Sequence, residues 1–430
     1  MFRLRTRNVL SQAQGYLSGL IQATRRNVER MAEVVPGTNA QALHHFLSNS
    51  PWDWRPVMDQ VARELDAQIG GDQDSCLLLD ETCFAKKGTH SVGVARQWCG
   101  LQGKTDNCQV AVFAALVRGR WVGLLDTELY VPKEWTQDPT RCAAAGVPAE
   151  RQVLKTKPQL ALEIVQRARR NGVRFSWIAA DGAYGQDRAL LRALDDAGEC
   201  FVLDVHRDQK IYLEDPKALS SATAEGSVQS VRLDQWASSQ PESAWQRVWV
   251  RHSTRGELRV EALHRRVWVR ESRQSEARCW HVIVTRELGS VNTTKYSFSN
   301  APAETSLHRL AYIQRQRYWV ERIFQDAKNE AGMDEYQARS WMAWYHHMAL
   351  VMMAMLFLLR ERLEQSADLP LLSARDVKIL LARVLPRRDA DPEELIRQLQ
   401  ARHRQRRSSI DSAYRRNRTP TRRSTAKVTK

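Results

Sequence analysis

From Asn8 to about Gln68 the apolar residues recur at helical spacing: Val28, Met31 and Val34 follow Arg25 and Arg26, and Leu43, Phe46 and Leu47 come next. This predicts a small helical unit with basic edges, punctuated at Pro36-Gly37 and Ser50-Pro51. After Gly70-Gly71 the texture changes. Cys76-Leu77-Leu78-Leu79 is a short unbroken apolar run, the signature of a strand covered on both faces. Asn107 to Val117 and Trp121 to Val131 predict two further strands joined as a hairpin at Arg118-Gly119-Arg120. Lys157 to Arg170 carries Leu160, Ile164, Val165 and Ala168 on one side and stops at Asn171-Gly172, so it predicts an amphipathic helix. Phe175 to Ala180 is another apolar strand. Strand, hairpin, helix, strand is the order of a mixed α/β sheet.

From about Val205 to Ser299 the period switches to two. Val248 and Val250, Leu258 and Val260, Val267 and Val269, then Val282 and Val284 alternate with polar residues, which predicts an antiparallel β unit. Leu307 to Asn329 and Trp341 to Leu363 then read as two long helices. The expected organisation is a helical N-terminal domain with basic edges over 1–70, a first part of an α/β core over 71–204, and a β-rich insertion over 205–300. The last core helices follow over 301–365, then a C-terminal helical region and basic tail over 366–430.

Composition narrows what such a chain handles. Its 430 residues are 43% hydrophobic and 27% charged, the balance of a soluble globular protein rather than a disordered or multi-pass membrane one. The longest apolar run, Met348 to Leu359, is 12 residues, short of the roughly 20 a bilayer span needs. It predicts a buried core helix. A net charge of +16 and a pI near 9.8 point to a polyanionic partner, most economically nucleic acid. After residue 400 the basic residues, among them Arg402, Arg404, Arg406, Arg407, Arg415 and Arg416, face a single acid, Asp411. The seven cysteines are scattered and never spaced as a CxxC pair, so neither a zinc site nor a disulfide framework is expected, and a reducing cytoplasm fits. Arg3, Arg5 and Arg7 precede no long apolar stretch. They read as a DNA-binding arm rather than a secretory signal, with an organellar transit peptide as the other reading of an acid-poor start.

Two aspartates stand where such sheets gather ligands. Asp80 follows Leu77-Leu78-Leu79 and Asp181 follows Trp177-Ile178-Ala179-Ala180, so both are expected at carboxyl ends of strands. Carboxylate oxygens are the natural ligands of Mg²⁺; an aspartate that only caps a turn is the structural alternative for either alone. In the helix predicted through Gln316 to Asn329, Glu321 has Arg317 four residues before it and Lys328 seven after it. At about 100° per residue the three share one stripe. Such a stripe suits a metal ligand flanked by phosphate-holding cations, or simply an exposed Arg317–Glu321 ion pair.

The stretches Leu78-Leu79-Asp80-Glu81-Thr82, Ala180-Asp181-Gly182-Ala183-Tyr184-Gly185 and Trp319-Val320-Glu321-Arg322-Ile323-Phe324-Gln325 resemble the three catalytic blocks of DDE transposases from bacterial insertion sequences. With Leu47-Ser48-Asn49-Ser50-Pro51-Trp52-Asp53 they look most like the insertion sequence 701 family. The resemblance runs from about Asn27 to Phe357. It implies an RNase H-like catalytic core interrupted by a β insertion, with Asp80, Asp181 and Glu321 as catalytic residues holding two Mg²⁺ ions, for which Mn²⁺ can substitute. It also implies double-stranded DNA as partner and a homodimer assembled on it. In the broader group the third acid lies in a Tyr-x2-Arg-x3-Glu-x6-Lys signature. Arg317, Glu321 and Lys328 match it, Arg317 and Lys328 being the DNA-binding positions, while Gln314 stands where the tyrosine belongs; Tyr312 and Tyr318 are out of register.

The leading expectation is a transposase that cuts the ends of its element and joins them to target DNA. A nuclease on the same fold and a catalytically silent DNA-binding regulator are the alternatives. Of the remaining candidates, Glu81 is expected on the opposite strand face from Asp80 in a structural role, and His346-His347 in a polar or capping role rather than as metal ligands. Lys86-Lys87-Gly88 reads equally as a DNA contact or a solvated basic turn. One of Trp245, Trp249, Trp268 and Trp280 could stack on an extruded base, most being core at strand spacing.

Overall fold

In a computed structural model the described residues are 1–430 apart from 5–7, 101, 217–228, 254–255, 271–275, 289–292, 390 and 419–430. Arg5, Arg7 and the basic residues beyond Arg418 therefore lie outside the described residues. Four helices come first: α1 (Leu10–Gln22), α2 (Val28–Val34), α3 (Ala40–Ser48) and α4 (Trp54–Ile69). The side chains of Asn27, Asn39 and Asp53 accept from first-turn backbone N–H groups of α2, α3 and α4, donors that would otherwise lack partners.

The sheet begins with β1 (Cys76–Ala85), β2 (Ala95–Cys99), β3 (Lys104–Arg118) and β4 (Trp121–Leu129). The β3–β4 hairpin turns where expected, with Gly119 at φ +61°, a conformation that costs glycine nothing. Two short helices, α5 (Lys133–Thr136) and α6 (Pro139–Ala144), lead to α7 (Lys157–Arg170). A reciprocal capping box between Thr156 and Gln159 starts α7. Then come β5 (Trp177–Ala180), α8 (Gly182–Gly185), α9 (Arg188–Asp196), β6 (Phe201–Val205), β7 (Lys210–Ile211), β8 (Val231–Arg232) and α10 (Leu233–Ser238). The next strands are β9 (Gln246–Ser253), β10 (Gly256–Val269), β11 (Arg278–Glu287) and β12 (Lys295–Ser299). The chain closes with α11 (Leu307–Gln316), α12 (Tyr318–Ala331), α13 (Trp341–Glu364), α14 (Ala374–Val384) and α15 (Pro392–Arg418).

One ten-stranded mixed sheet has the order β2-β3-β1-β5-β6-β12-β11-β10-β9, with β4 paired to β3. β5 runs parallel to both β1 and β6; the other pairs in this sheet are antiparallel. The β unit read from the alternation is therefore continuous with the main sheet, because β12 hydrogen-bonds to β6. The alternating pairs Leu258, Val260 and Val267, Val269 fall on one strand, β10.

Two other expectations are corrected. Asp80 does not close its strand: β1 continues to Ala85, since β3 supplies partners as far as Cys108, whereas β5 pairs only with Cys76 to Leu79. The helix expected from Leu307 to Asn329 is two, broken at Arg317. The core helix around Met348 is longer than its most apolar run. α13 has 24 residues and is apolar enough to cross a membrane, but 83% of its most apolar stretch is buried inside the protein, against α1, α3, α4, α14 and β4. The same hydrophobic core takes in Val9 of the N-terminal helices, the sheet and Val377 of α14.

Candidate active site

The register Leu79↔Ala180 places the next residues, Asp80 and Asp181, beside each other where β5 stops and β1 runs on. Asp181 leaves the strand and caps α8, accepting from the Ala183 N–H at 2.9 Å. Glu321 sits in the first turn of α12. All three line one cleft of about 730 Å³, with Glu81, Thr82, Trp98, Gln325, Lys328 and Asp334 among the other walls. Among the described residues, no group of three or more His, Cys, Asp or Glu is arranged to hold a metal ion.

The electrostatics of the cleft are those of carboxylates short of compensation. Burial pushes Asp80 up to about 7; Arg317 opposes the shift, while the charges of Asp181 and Glu81 add to it. Burial also raises Asp181, again against Arg317. An all-oxygen donor set whose negative charge the protein leaves poorly balanced is what a hard divalent cation suits.

Arg317 occupies the junction of α11 and α12 with helical dihedrals. Its Nη1 donates to Asp204 Oδ2 at 2.6 Å and its Nη2 lies 3.9 Å from Asp80 Oδ2, so its partner is Asp204 rather than Glu321. Burial works against the charge on Arg317, yet Asp204, Asp80 and Asp181 together raise its pKa. Asp204, near the end of β6, also accepts from Ser297 Oγ at 2.6 Å. Ser297 in turn accepts from Gln314 Nε2 at 2.7 Å, and Gln314 Oε1 accepts from Thr285 Oγ1 at 2.5 Å. Gln314, at the signature's tyrosine position, is thus a buried member of the network behind Arg317. Lys328 does line the cleft, donating from Nζ to Thr82 Oγ1 at 2.7 Å; burial lowers its pKa and Asp334 opposes that.

Glu81, expected on the far face in a structural role, lines the same cleft and accepts from Lys157 Nζ at 2.6 Å and Tyr184 OH at 2.9 Å. Lys86, from the basic turn, lies over the Tyr336 ring. His346 takes the polar role expected, with Nδ1 and Nε2 each 2.8 Å from a carbonyl, those of Leu47 and Trp52; His347 meets Tyr16 OH at 2.8 Å. Trp280 is core, packed on Phe201 and Phe298. The tryptophan that reaches the cleft is Trp98, 60% exposed on β2. Cys83, Cys99 and Cys108 share a small buried cluster beside it, a gathering that no sequence spacing announced.

A family profile described as DDE superfamily endonuclease matches residues 3–274. The chain belongs to the DDE superfamily endonucleases. The matched span holds Asp80 and Asp181 of this endonuclease, while Glu321 lies beyond it. A probable transposase for insertion sequence element IS701 from Microchaete diplosiphon is 27% identical over 317 residues, 73% of this chain and 72% of that one. The resemblance read from the sequence blocks is thereby borne out. Among solved structures, the crystal structure of the NurA nuclease from Sulfolobus solfataricus aligns over 75% of this chain and 97% of that one, at 8% identity and a TM-score of 0.17. So low a score carries no argument. Membership of the DDE superfamily implies dependence on a divalent metal, usually Mg²⁺.

Proposed function

We propose that this DDE endonuclease is a transposase: it cuts the ends of its insertion element and joins the freed 3′ ends to target DNA. Asp80, Asp181 and Glu321 are the catalytic residues and would hold two Mg²⁺ ions. The observation that carries the reading is that these three carboxylates, from a strand, a strand end and a helix, line one cleft. The presence of a transposase relative over most of the chain favours joining as well as cutting. In the same reading the sheet around β1, β5 and β6 is an RNase H-like core with β9 to β12 as its insertion.

Two divalent ions held there would supply Lewis acidity at the attacking and leaving oxygens of a phosphodiester. The chain's own residues set the stage for that chemistry. Sheet register fixes Asp80 against Asp181. Arg317, held by Asp204, keeps its guanidinium near Asp80 and positions it. Lys328 brings a cation to the cleft wall, where it neutralises a DNA phosphate, and Trp98 offers an exposed ring face on which a base stacks. An element has two ends, so a homodimer on double-stranded DNA, in the cytoplasm where the chromosome lies, brings one such cleft to each.

The test is divalent-metal-dependent nicking and strand joining of a labelled element end, run beside a gel shift on the same DNA. Asp80→Asn, Asp181→Asn and Glu321→Gln are each expected to abolish nicking and joining, because a neutral amide is a poor substitute for a metal-holding carboxylate. Binding should survive, since removing negative charge eases the approach of a polyanion. Wild-type cleavage by one of these variants overturns that residue's assignment. Nicking by the wild type without joining makes the protein a nuclease.

A further inference from the structure

N-terminal and C-terminal helices meet away from the catalytic cleft. Thr24 and Arg25 from the α1–α2 turn, Arg30 and Glu33 from α2, Arg387 and Arg388 from the α14–α15 loop, and Arg402 from α15 line a second cleft of about 400 Å³. Five guanidiniums there share the lining with one carboxylate, Glu33. That carboxylate is already shared between Arg30 and Arg402. Arg388 is held by the Thr38 carbonyl at 2.6 Å and pairs with Glu394 at 3.9 Å, whereas Arg25 and Arg387 are exposed and, among the described residues, make no ion pair within 4.0 Å. Like charges gathered so closely repel one another unless an anion joins them, and the guanidinium fork matches phosphate oxygens two at a time.

The cleft is moored to the catalytic helix. Arg26, next to Arg25, is buried and donates from Nη1 to Glu335 at 2.6 Å and from Nη2 to the Asn329 carbonyl at 2.8 Å. Gly332, at φ +63°, gives it room: a Cβ there would come within 2.3 Å of the Arg26 side chain. From the other side Lys378 of α14 donates to Glu330 at 3.1 Å. Asn329 itself lines the catalytic cleft. Both arginine-bearing segments are therefore fastened to the same end of α12, and the exposed Arg404, Arg406 and Arg407 extend the basic surface along α15.

We infer that the α2–α15 cleft grips the phosphate backbone of the DNA duplex whose scissile bond lies in the catalytic cleft, a site that rests on the functional reading above. Free phosphate offers the same chemistry, but a single ion gives no use for a cationic surface that continues along a helix.

The experiment measures affinity of the full chain for a labelled element-end duplex across a salt series. It compares wild type with Arg25→Ala/Arg387→Ala and with Arg247→Ala/Arg259→Ala, an equal loss of charge at exposed positions of β9 and β10. Each lost phosphate contact lowers the log-log salt slope by about 0.9, so the first pair should lose roughly 1.8 in slope and one to two orders of magnitude in affinity at 0.1 M salt. The control pair should change little, and all three proteins should unfold at the same temperature. Inorganic phosphate at matched ionic strength should leave wild-type binding unchanged; competition by it would reassign the cleft to a free anion. A wild type that binds and cuts DNA, beside an Arg25/Arg387 variant with unaltered affinity and slope, overturns the cleft alone. A wild type that binds no DNA overturns the functional reading and this site with it.

Discussion

Asp80→Asn should kill the enzyme and stabilise the protein. In the fold the Asp80 carboxyl is held at about 7 against an ordinary 3.8, chiefly by burial. At 1.36 kcal/mol per pKa unit, its charge in the fold costs about 4 kcal/mol as an upper bound, and about 2 kcal/mol once water entering the cleft is allowed for. The sign follows from linkage. A carboxyl whose pKa is raised by folding leaves stability intact below pH 4, and that stability is lost as the pH rises through 7. Asparagine keeps the shape and can still accept the Glu81 N–H that Asp80 Oδ1 accepts at 2.8 Å, but it carries no charge. Melting in EDTA should therefore rise by roughly 2 to 4 °C at pH 8 and hardly at all at pH 4. Added Mg²⁺ should narrow the gap at pH 8 by stabilising only the wild type. A variant no more stable than wild type at pH 8 in EDTA would refute the claim that the cleft holds uncompensated charge.

Lys328→Ala leaves the three acids in place, so binding of the element end should weaken before single-turnover cleavage fails; equal loss of both in a gel shift and a saturating cleavage assay would count against a phosphate role. Trp98→Ala should raise KM for DNA several-fold while Trp98→Phe largely restores it, and an unaltered KM in the alanine variant would remove the stacking role. Gln314→Tyr, which restores the family signature, should cost about 1 to 3 kcal/mol in chemical denaturation, because the site is buried and both ends of its amide are hydrogen-bonded; unchanged stability would show that the network has room to spare.

Local pattern sufficed where an element's own residues decide it. α7 lies where the apolar stripe placed it because Leu160, Ile164, Val165 and Ala168 all turn to the core, and the β3–β4 turn follows from Gly119. β1 was legible only to Leu79, since Asp80, Glu81 and Thr82 break the apolar run where a cleft replaces the core. The break at Arg317 was hidden for another reason: its dihedrals stay helical, so the apolar period passes through it unaltered. Joining of the β unit to the main sheet depends on β12 meeting β6, a long-range pairing that alternation within either strand does not encode. Asp204 did have a signal. It follows Phe201-Val202-Leu203 much as Asp80 follows its own apolar run, but its partner Arg317 is 113 residues away.

The termination of β5 at Ala180 while β1 continues makes the active site a vernier with one fixed and one sliding scale. The spacing of Asp80 from Asp181 is ruled by backbone hydrogen bonds, so altering it by one step would slip the whole register and turn every side chain of the slipped strand to the opposite face. Glu321 rides on a helix seated by side-chain packing, and it can shift or tilt against the other two acids without breaking a single sheet bond. In the proposed function, fine adjustment of the site to metal and DNA therefore falls to α12, the same helix to which Arg26 and Lys378 tie the arginine cleft.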